Sequence, residues 1–461
     1  MNNALLIYNA RLLDENLEGN GAVLAVNGKI QTVFQGENLT RENLQSSAVS
    51  IIPAGTELQF FDASGLTLTP SFIDTHVHLR DPGLTHKEDL ESGLTACAHG
   101  GYGTVVAMPN TKPVISSAEQ ALEVMSRAEK IDKTRLFQSV SITKDFEGSD
   151  TSHLENLDRG EIPLITEDGH DVLSSAVMLE GMKKAFKNGQ IVSCHCEDVT
   201  LAEKARPHRQ KALEIMKKYQ LSAWGAGDLS GVPENAINEI DSELTEANRI
   251  LALAEDIANE RNIRLAKEAG CHIHICHIST KQSIEYVQNA KKEGVNVTAE
   301  ATPHHLALTG DAEPEIRALV NPPLRHEEDR LAVIEGLCDG PIDCIATDHA
   351  PHTAEDKASG APGFTGIETA FGICNKVLVK GGYISSQKLS SLMSANPARL
   401  LNLKKGLLKT GYDADFTLVN PDEKWIVDSS KFYSKGKATP FEGTEAVGRV
   451  KGLFLGGKKI F

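Results

Sequence analysis

The chain has 461 residues, of which 40% are hydrophobic and 24% charged, with a formal net charge of −16. That is the make-up of a soluble globular protein with one large domain and a smaller one. The acidity argues against nucleic acid as a partner, and the absence of any run of about 18 apolar residues argues against a membrane span.

The N-terminus, Met1-Asn-Asn-Ala-Leu-Leu-Ile-Tyr-Asn-Ala-Arg11, lacks a basic region, an apolar core and a cleavage site, so a cytoplasmic location is expected. Residues up to about 66 read as short strand-like pieces with turns, such as 22–30. From residue 67 the pattern changes. Segments rich in β-branched and aliphatic residues recur at 72–80, 102–110, 135–144, 162–168, 191–198, 272–280, 295–302 and 342–348. Helix-like stretches lie between them, for example 117–128 and 330–338. Strands that alternate with helices imply a parallel sheet. Eight such units predict an α/β fold of the (β/α)8 TIM-barrel type over 67–405. An open doubly wound sheet is the alternative, disfavoured because no G-x-G-x-x-G turn follows any strand. The connection 199–270 is too long for a plain helix and reads as an insertion near the barrel mouth, with a glycine-rich break at 224–233. From about 406 the strand-and-turn pattern returns. Residues 1–66 and 406–461 are therefore expected to join in a small β-sandwich beside the barrel.

Barrels of this type place their chemistry at the C-terminal ends of the strands. The first strand ends with His76, His78 and Arg80. In an extended segment these alternate positions share one face. The second strand ends near Asn110, the fourth at Asp168, the fifth at His195, the sixth at His277 and the eighth at Asp348. A lone His-x-His is as compatible with a half-exposed strand as with a metal site. Four histidines and two aspartates at matching strand ends are not, and their donor atoms suit Zn2+. Six ligands exceed what one tetrahedral ion needs. His76, His78 and Asp348 are expected to serve one ion, His195 and His277 a second, with Asp168 as the bridge; one or two zinc ions per subunit are compatible with the set. A bound cation lowers the pKa of water to about 7. Asp348 could then take up the proton and pass it to a leaving nitrogen, help worth roughly 10²–10⁴ in rate. With the metal charges counted, the site is net positive and Arg80 adds to it, so an anionic substrate fits despite the acidic whole. The eight cysteines lack paired C-x2-C spacing and read as buried, inert thiols. Gly83 reads either as a loop hinge or as a simple turn glycine.

Taken together, Asp74-Thr-His-Val-His-Leu-Arg80, Met108-Pro-Asn-Thr111, Glu167-Asp-Gly169, His195-Cys-Glu-Asp198, Cys276-His-Ile-Ser-Thr280, Glu300-Ala-Thr-Pro-His-His305, Asn321-Pro-Pro-Leu-Arg325 and Thr347-Asp-His-Ala-Pro-His352 resemble the amidohydrolase superfamily. The resemblance is closest to its dihydroorotases of the long bacterial type, extends along nearly the whole chain and includes the tail 434–443. It implies a hydrolase acting on cyclic amides, which interconverts (S)-dihydroorotate and N-carbamoyl-L-aspartate in pyrimidine (UMP) biosynthesis. It implies zinc at His76, His78, Asp168, His195, His277 and Asp348, with Asp348 as acid and base. Arg80, Asn110 and His352 would hold the substrate carboxylate, and Asn321 would contact the ring. A homodimer, able to associate with aspartate carbamoyltransferase, is implied as well. Many relatives bridge their metals with a carbamylated lysine on the fourth strand. Here Ile165-Thr-Glu-Asp-Gly169 has none, which matches the aspartate-using branch and weighs against hydantoinases and allantoinases. Where the family often has Phe-Gly after the last histidine, this chain has Pro362-Gly363. Gly363 keeps an N–H to offer the substrate and Pro362 does not. A scaffold without catalysis, bound to a carbamoyltransferase, is the remaining reading, disfavoured because every ligand position is intact.

Overall fold

Eight short parallel stretches carry the middle of the chain. A computed structural model describes residues 3–36, 39–221, 229–310 and 319–461. Strand Phe72–Val77 pairs with Tyr102–Ala107, which pairs with Arg135–Gln138. Just beyond Ser139 the same stretch continues as Val140–Ser141, followed in order by Leu164–Thr166, Ile191–Cys194, His272–Ile275, Val297–Ala301 and Cys344–Ile345. Each strand is flanked by its neighbours in the sequence, as βα units require. The last meets the first: His349 bridges Val77 in parallel, and the His78 N–H donates to the His349 carbonyl at 2.8 Å. Asp74 secures that seam, accepting from the Thr347 hydroxyl at 2.6 Å and the Thr347 amide at 3.1 Å. Strands such as Phe72–Val77 and Tyr102–Ala107 are buried along their whole length, which is why they read as unbroken apolar runs rather than alternating ones.

The helices between them follow sequence rules closely. Ala118–Ile131 starts at Ser117, whose hydroxyl accepts from the Gln120 amide, and it buries Ala121, Val124 and Ala128 on one stripe. The long connection is helical as well. Val199–Lys218 lies against the 36-residue helix Glu234–Ala269. The two pack through Ala205, Ala247 and Leu251, and again through Ala212, Met216, Ile240 and Leu244. The glycine-rich break expected at 224–233 falls partly in 222–228, outside the described residues.

Both ends of the chain enter one hydrogen-bonded sheet of eight strands. Thr67–Pro70 is the splice, parallel to Asn3–Leu13 and antiparallel to Phe416–Ile426. Period-2 alternation gives this sheet two apolar faces. Ile7, Leu12, Val23, Leu68, Phe416 and Phe454 share one. Leu6, Tyr8 and Leu24 share the other with Leu44 and Ala48. Those last two belong to helix Arg41–Ile51, capped by Thr40. The strand-only reading of 1–66 missed this helix. Only two of its eleven residues are buried, so its apolar signal is weak against a polar background.

Gly83 takes a φ of +82°, and a Cβ there would lie 1.8 Å from the Lys112 carbonyl oxygen. Close packing of that turn accounts for the glycine. Among the described residues no helix is long and apolar enough to cross a membrane.

Candidate metal centre

The strand ends bring the six expected ligands into one buried cluster. His76, His78, Asp168, His195, His277 and Asp348 are all less than 9% exposed. Ligand atoms of His76, His78 and Asp348 lie within 4.8 Å of one another, as do those of His76, Asp168 and His277. Asp168 belongs to the second group and also reaches the first. Its Oδ1 is 3.2 Å from His76 Nε2 and 3.7 Å from His195 Nδ1, and its Oδ2 is 3.4 Å from His78 Nε2. His195 Nδ1 and His277 Nε2 face each other at 2.9 Å. Asp348 Oδ1 lies 3.0 Å from His78 Nε2 and 3.5 Å from His76 Nε2.

Two of these atoms, His76 Nε2 and Asp168 Oδ1, are buried without a hydrogen-bond partner although they are neighbours. Buried polar atoms that converge without pairing are costly on their own. A cation between them removes that cost, so the residues present fit a metal, and the mixed imidazole–carboxylate donor set suits a divalent one.

The partners behind the ligands fix which nitrogen faces inward. His76 Nδ1 donates to Glu300 Oε1 at 2.8 Å, leaving Nε2 to face the carboxylates. His78 Nδ1 donates to Asn110 Oδ1 at 3.0 Å with the same result. Glu300 in turn accepts from His274 Nε2 at 2.9 Å and from the Thr75 hydroxyl at 2.5 Å. No role was foreseen for Glu300, although it ends the seventh strand and the strand-end rule points to it.

Burial opposes charge on both aspartates, yet the imidazoles of His76 and His78 hold the Asp168 and Asp348 carboxyls well below the usual range. Burial likewise opposes protonation of His76, but Asp168 beside it holds its pKa well above the usual histidine value. Burial, with His195 and His76 nearby, pushes His277 down to about 3, so it presents a neutral imidazole. Arg80, His277 and Asp348 have φ values of 59°, 33° and 47°, a left-handed region that non-glycine residues adopt only under constraint. Three strained residues at one rim mark it as a place where geometry outranks local stability.

Next to the cluster lies a cationic corner. Arg80 donates through Nε to the Pro351 carbonyl at 3.3 Å and reaches His352 Nε2 at 3.2 Å, with no carboxylate paired to it among the described residues. Burial lowers its pKa to about 10, so it stays charged at neutral pH. Burial and the Arg80 and Lys87 cations push His352 down to about 3. Asn110 also belongs here, its amide nitrogen 3.4 Å from Asp168 Oδ2.

Asn321 and Gly363 are placed less simply. Asn321 accepts from Arg209 at 2.5 Å. The Gly363 N–H, expected to be free for substrate, is already donated to the Leu319 carbonyl at 2.9 Å. Pro362 offers only its carbonyl, 2.9 Å from His352 Nε2. Gly363 therefore shapes this loop instead of supplying a donor. Leu319 and Gly363 are separated by 44 positions, so nothing in the local sequence announced the contact.

All eight cysteines are free and seven are buried, in keeping with the inert reading. Cys276 comes within 4.8 Å of His76 and Glu300, but burial pushes its thiol up to about 12.

Residues 67–460 match the amidohydrolase family. The chain is 37% identical to a dihydroorotase of Clostridium botulinum (strain Eklund 17B / Type B) over 455 residues, 98% of each chain. It is 38% identical to a dihydroorotase of Bacillus cereus over 444 residues, 95% of this chain and 93% of the relative. Among solved structures, an L-hydantoinase (dihydropyrimidinase) from Arthrobacter aurescens superposes with a TM-score of 0.81 at 23% identity, covering 99% of this chain and 95% of that one. A dihydropyrimidinase from Brevibacillus agri NCHU1002 gives 0.75 at 20% identity, covering 99% and 94%. At those identities the structures speak to the fold alone.

Proposed function

The chain belongs to the amidohydrolase family, and from that premise we propose that it is a dihydroorotase, the hydrolase that opens (S)-dihydroorotate to N-carbamoyl-L-aspartate in pyrimidine biosynthesis. The observation that carries this reading is the 37% identity to a dihydroorotase across 98% of both chains. The eight parallel stretches form a (β/α)8 barrel over 67–405 in this reading. Residues 1–66 and 406–461 make the small β domain, and Thr67–Pro70 crosses between the two. The enzyme works in the cytoplasm as a homodimer that can associate with aspartate carbamoyltransferase.

His76, His78, Asp168, His195, His277 and Asp348 hold one or two Zn2+ ions. Bound there, zinc supplies activation of water and polarisation of the ring carbonyl. The protein supplies the rest. Arg80, Asn110 and His352 receive the substrate carboxylate and fix the ring, so that the amide carbonyl meets the metal centre and not bulk water. Asn321 meets the ring edge. Asp348 accepts the proton of the attacking water and delivers it to the ring nitrogen as the C–N bond breaks.

The deciding experiment is a metal analysis of the purified protein with turnover assays on dihydroorotate, hydantoin and allantoin. Zinc at one to two equivalents and turnover of dihydroorotate are expected. Turnover of hydantoin alone would overturn the proposal. Asp348→Asn should reduce turnover by at least about 10³, the loss expected of a principal acid–base group, while zinc content remains close to that of the parent.

A further inference from the structure

Helix Val199–Lys218, in the insertion, sends one side chain onto the segment Val320–Asn321. Arg209 NH1 lies 2.5 Å from Asn321 Oδ1, and NH2 lies 3.2 Å from the Val320 carbonyl. Its Nε is buried and unpartnered. No carboxylate pairs with this guanidinium among the described residues, and burial together with Arg325 lowers its pKa only to about 10, so it remains charged. The segment it grips is tied to the cationic corner. Leu319 accepts from Gly363 N–H and from Lys357 Nζ at 3.1 Å, and Pro362, next to Gly363, contacts His352.

A guanidinium has five donors and no acceptor. The amide group that faces Arg209 must therefore present its oxygen, which leaves Nδ2 on the other side. No other group among the described residues takes that Nδ2. Resting on the reading of Asn321 as a substrate contact, we infer that Arg209 is a positioning residue: it orients Asn321 so that the amide N–H, and not the carbonyl oxygen, meets the substrate. Asn321 then recognises an acceptor, a carbonyl or carboxylate oxygen of dihydroorotate. The insertion thereby acquires a role in substrate recognition.

The test is steady-state kinetics of the zinc-loaded full chain with dihydroorotate, using Arg209→Met, Asn321→Ala, their double variant and Asn321→Asp. Exposed Arg206, on the same helix, gives the control Arg206→Met. Losing one oriented hydrogen bond should raise KM about tenfold in Arg209→Met and in Asn321→Ala, with kcat changed by no more than about twofold. The double variant should match Asn321→Ala, because the two residues act in series. Asn321→Asp keeps an acceptor for Arg209 but lacks the N–H, so its KM should rise as in Asn321→Ala. A parental KM in Arg209→Met, or additive losses in the double variant, would overturn the inference. So would a parental KM in Asn321→Asp. Should Arg209→Met fail to fold, Asn321→Asp decides alone, since it leaves Arg209 partnered. If neither Asn321 variant changes KM while dihydroorotate is still turned over, the Asn321 contact is wrong and the assigned reaction stands.

Discussion

Arg80 is held by a carbonyl and an imidazole rather than by a carboxylate, so its charge is left for a ligand. Arg80→Met should raise KM for dihydroorotate by about 10²-fold, the loss of a charge-assisted contact, with a smaller change in kcat. An unchanged KM would refute the carboxylate role. Arg325 is the structural counterpart. It pairs with Glu255 at 2.9 Å and reaches the Ser279 hydroxyl at 3.0 Å, all of them buried. Arg325→Met leaves the Glu255 charge buried without its partner and should cost about 3–5 kcal/mol in denaturant unfolding. The contrast explains what could be read in the sequence. The six expected ligands lie at strand ends, and the strand pattern reports strand ends. Arg209, Glu255 and Arg325 owe their roles to partners 112, 70 and 70 positions away, and no local pattern records such pairings.

Among the elements, the parallel strands were legible because burial on both faces leaves an unbroken apolar run. The observed strands are shorter than expected. Leu164–Thr166 replaces 162–168, since hydrogen bonding stops where the chain turns out to present Asp168. Helix Arg41–Ile51 was not legible, for it buries only Leu44 and Ala48. One tether between elements titrates near neutrality. Glu368 accepts from the amides of Tyr433 and Ser434 at 3.0 and 3.1 Å, and burial raises its pKa to about 7 despite those two donors. Its folded-state pKa is thus above the unfolded one, so the folded form binds more protons between about pH 4.5 and 7. Stability should fall as pH rises through that window, by at most about 3 kcal/mol. Thermal melts of Glu368→Gln should show a flatter dependence over the same range. An identical slope in the variant would place the titration elsewhere.

For the molecule as a whole, the candidate metal cluster joins strands from both halves of the parallel set. Zinc bound only by the folded state should therefore stabilise all of it. Removal by a chelator should lower the folding free energy by about 3 kcal/mol at a hundredfold excess over Kd, read as a drop in Tm that added zinc reverses. The terminal sheet has a different consequence. Asn3–Leu13 and Thr67–Pro70 are laid down early, but Phe416–Ile426 and Glu445–Leu455 complete their sheet. During translation Asn3–Leu13 can pair at once with its early neighbours, but the other edge of Thr67–Pro70 must wait unpaired until residues 416–426 have been made. Chaperone contact on the ribosome should concentrate around that open edge at 67–70, and a message truncated before codon 416 should yield an aggregating product, not a shorter enzyme.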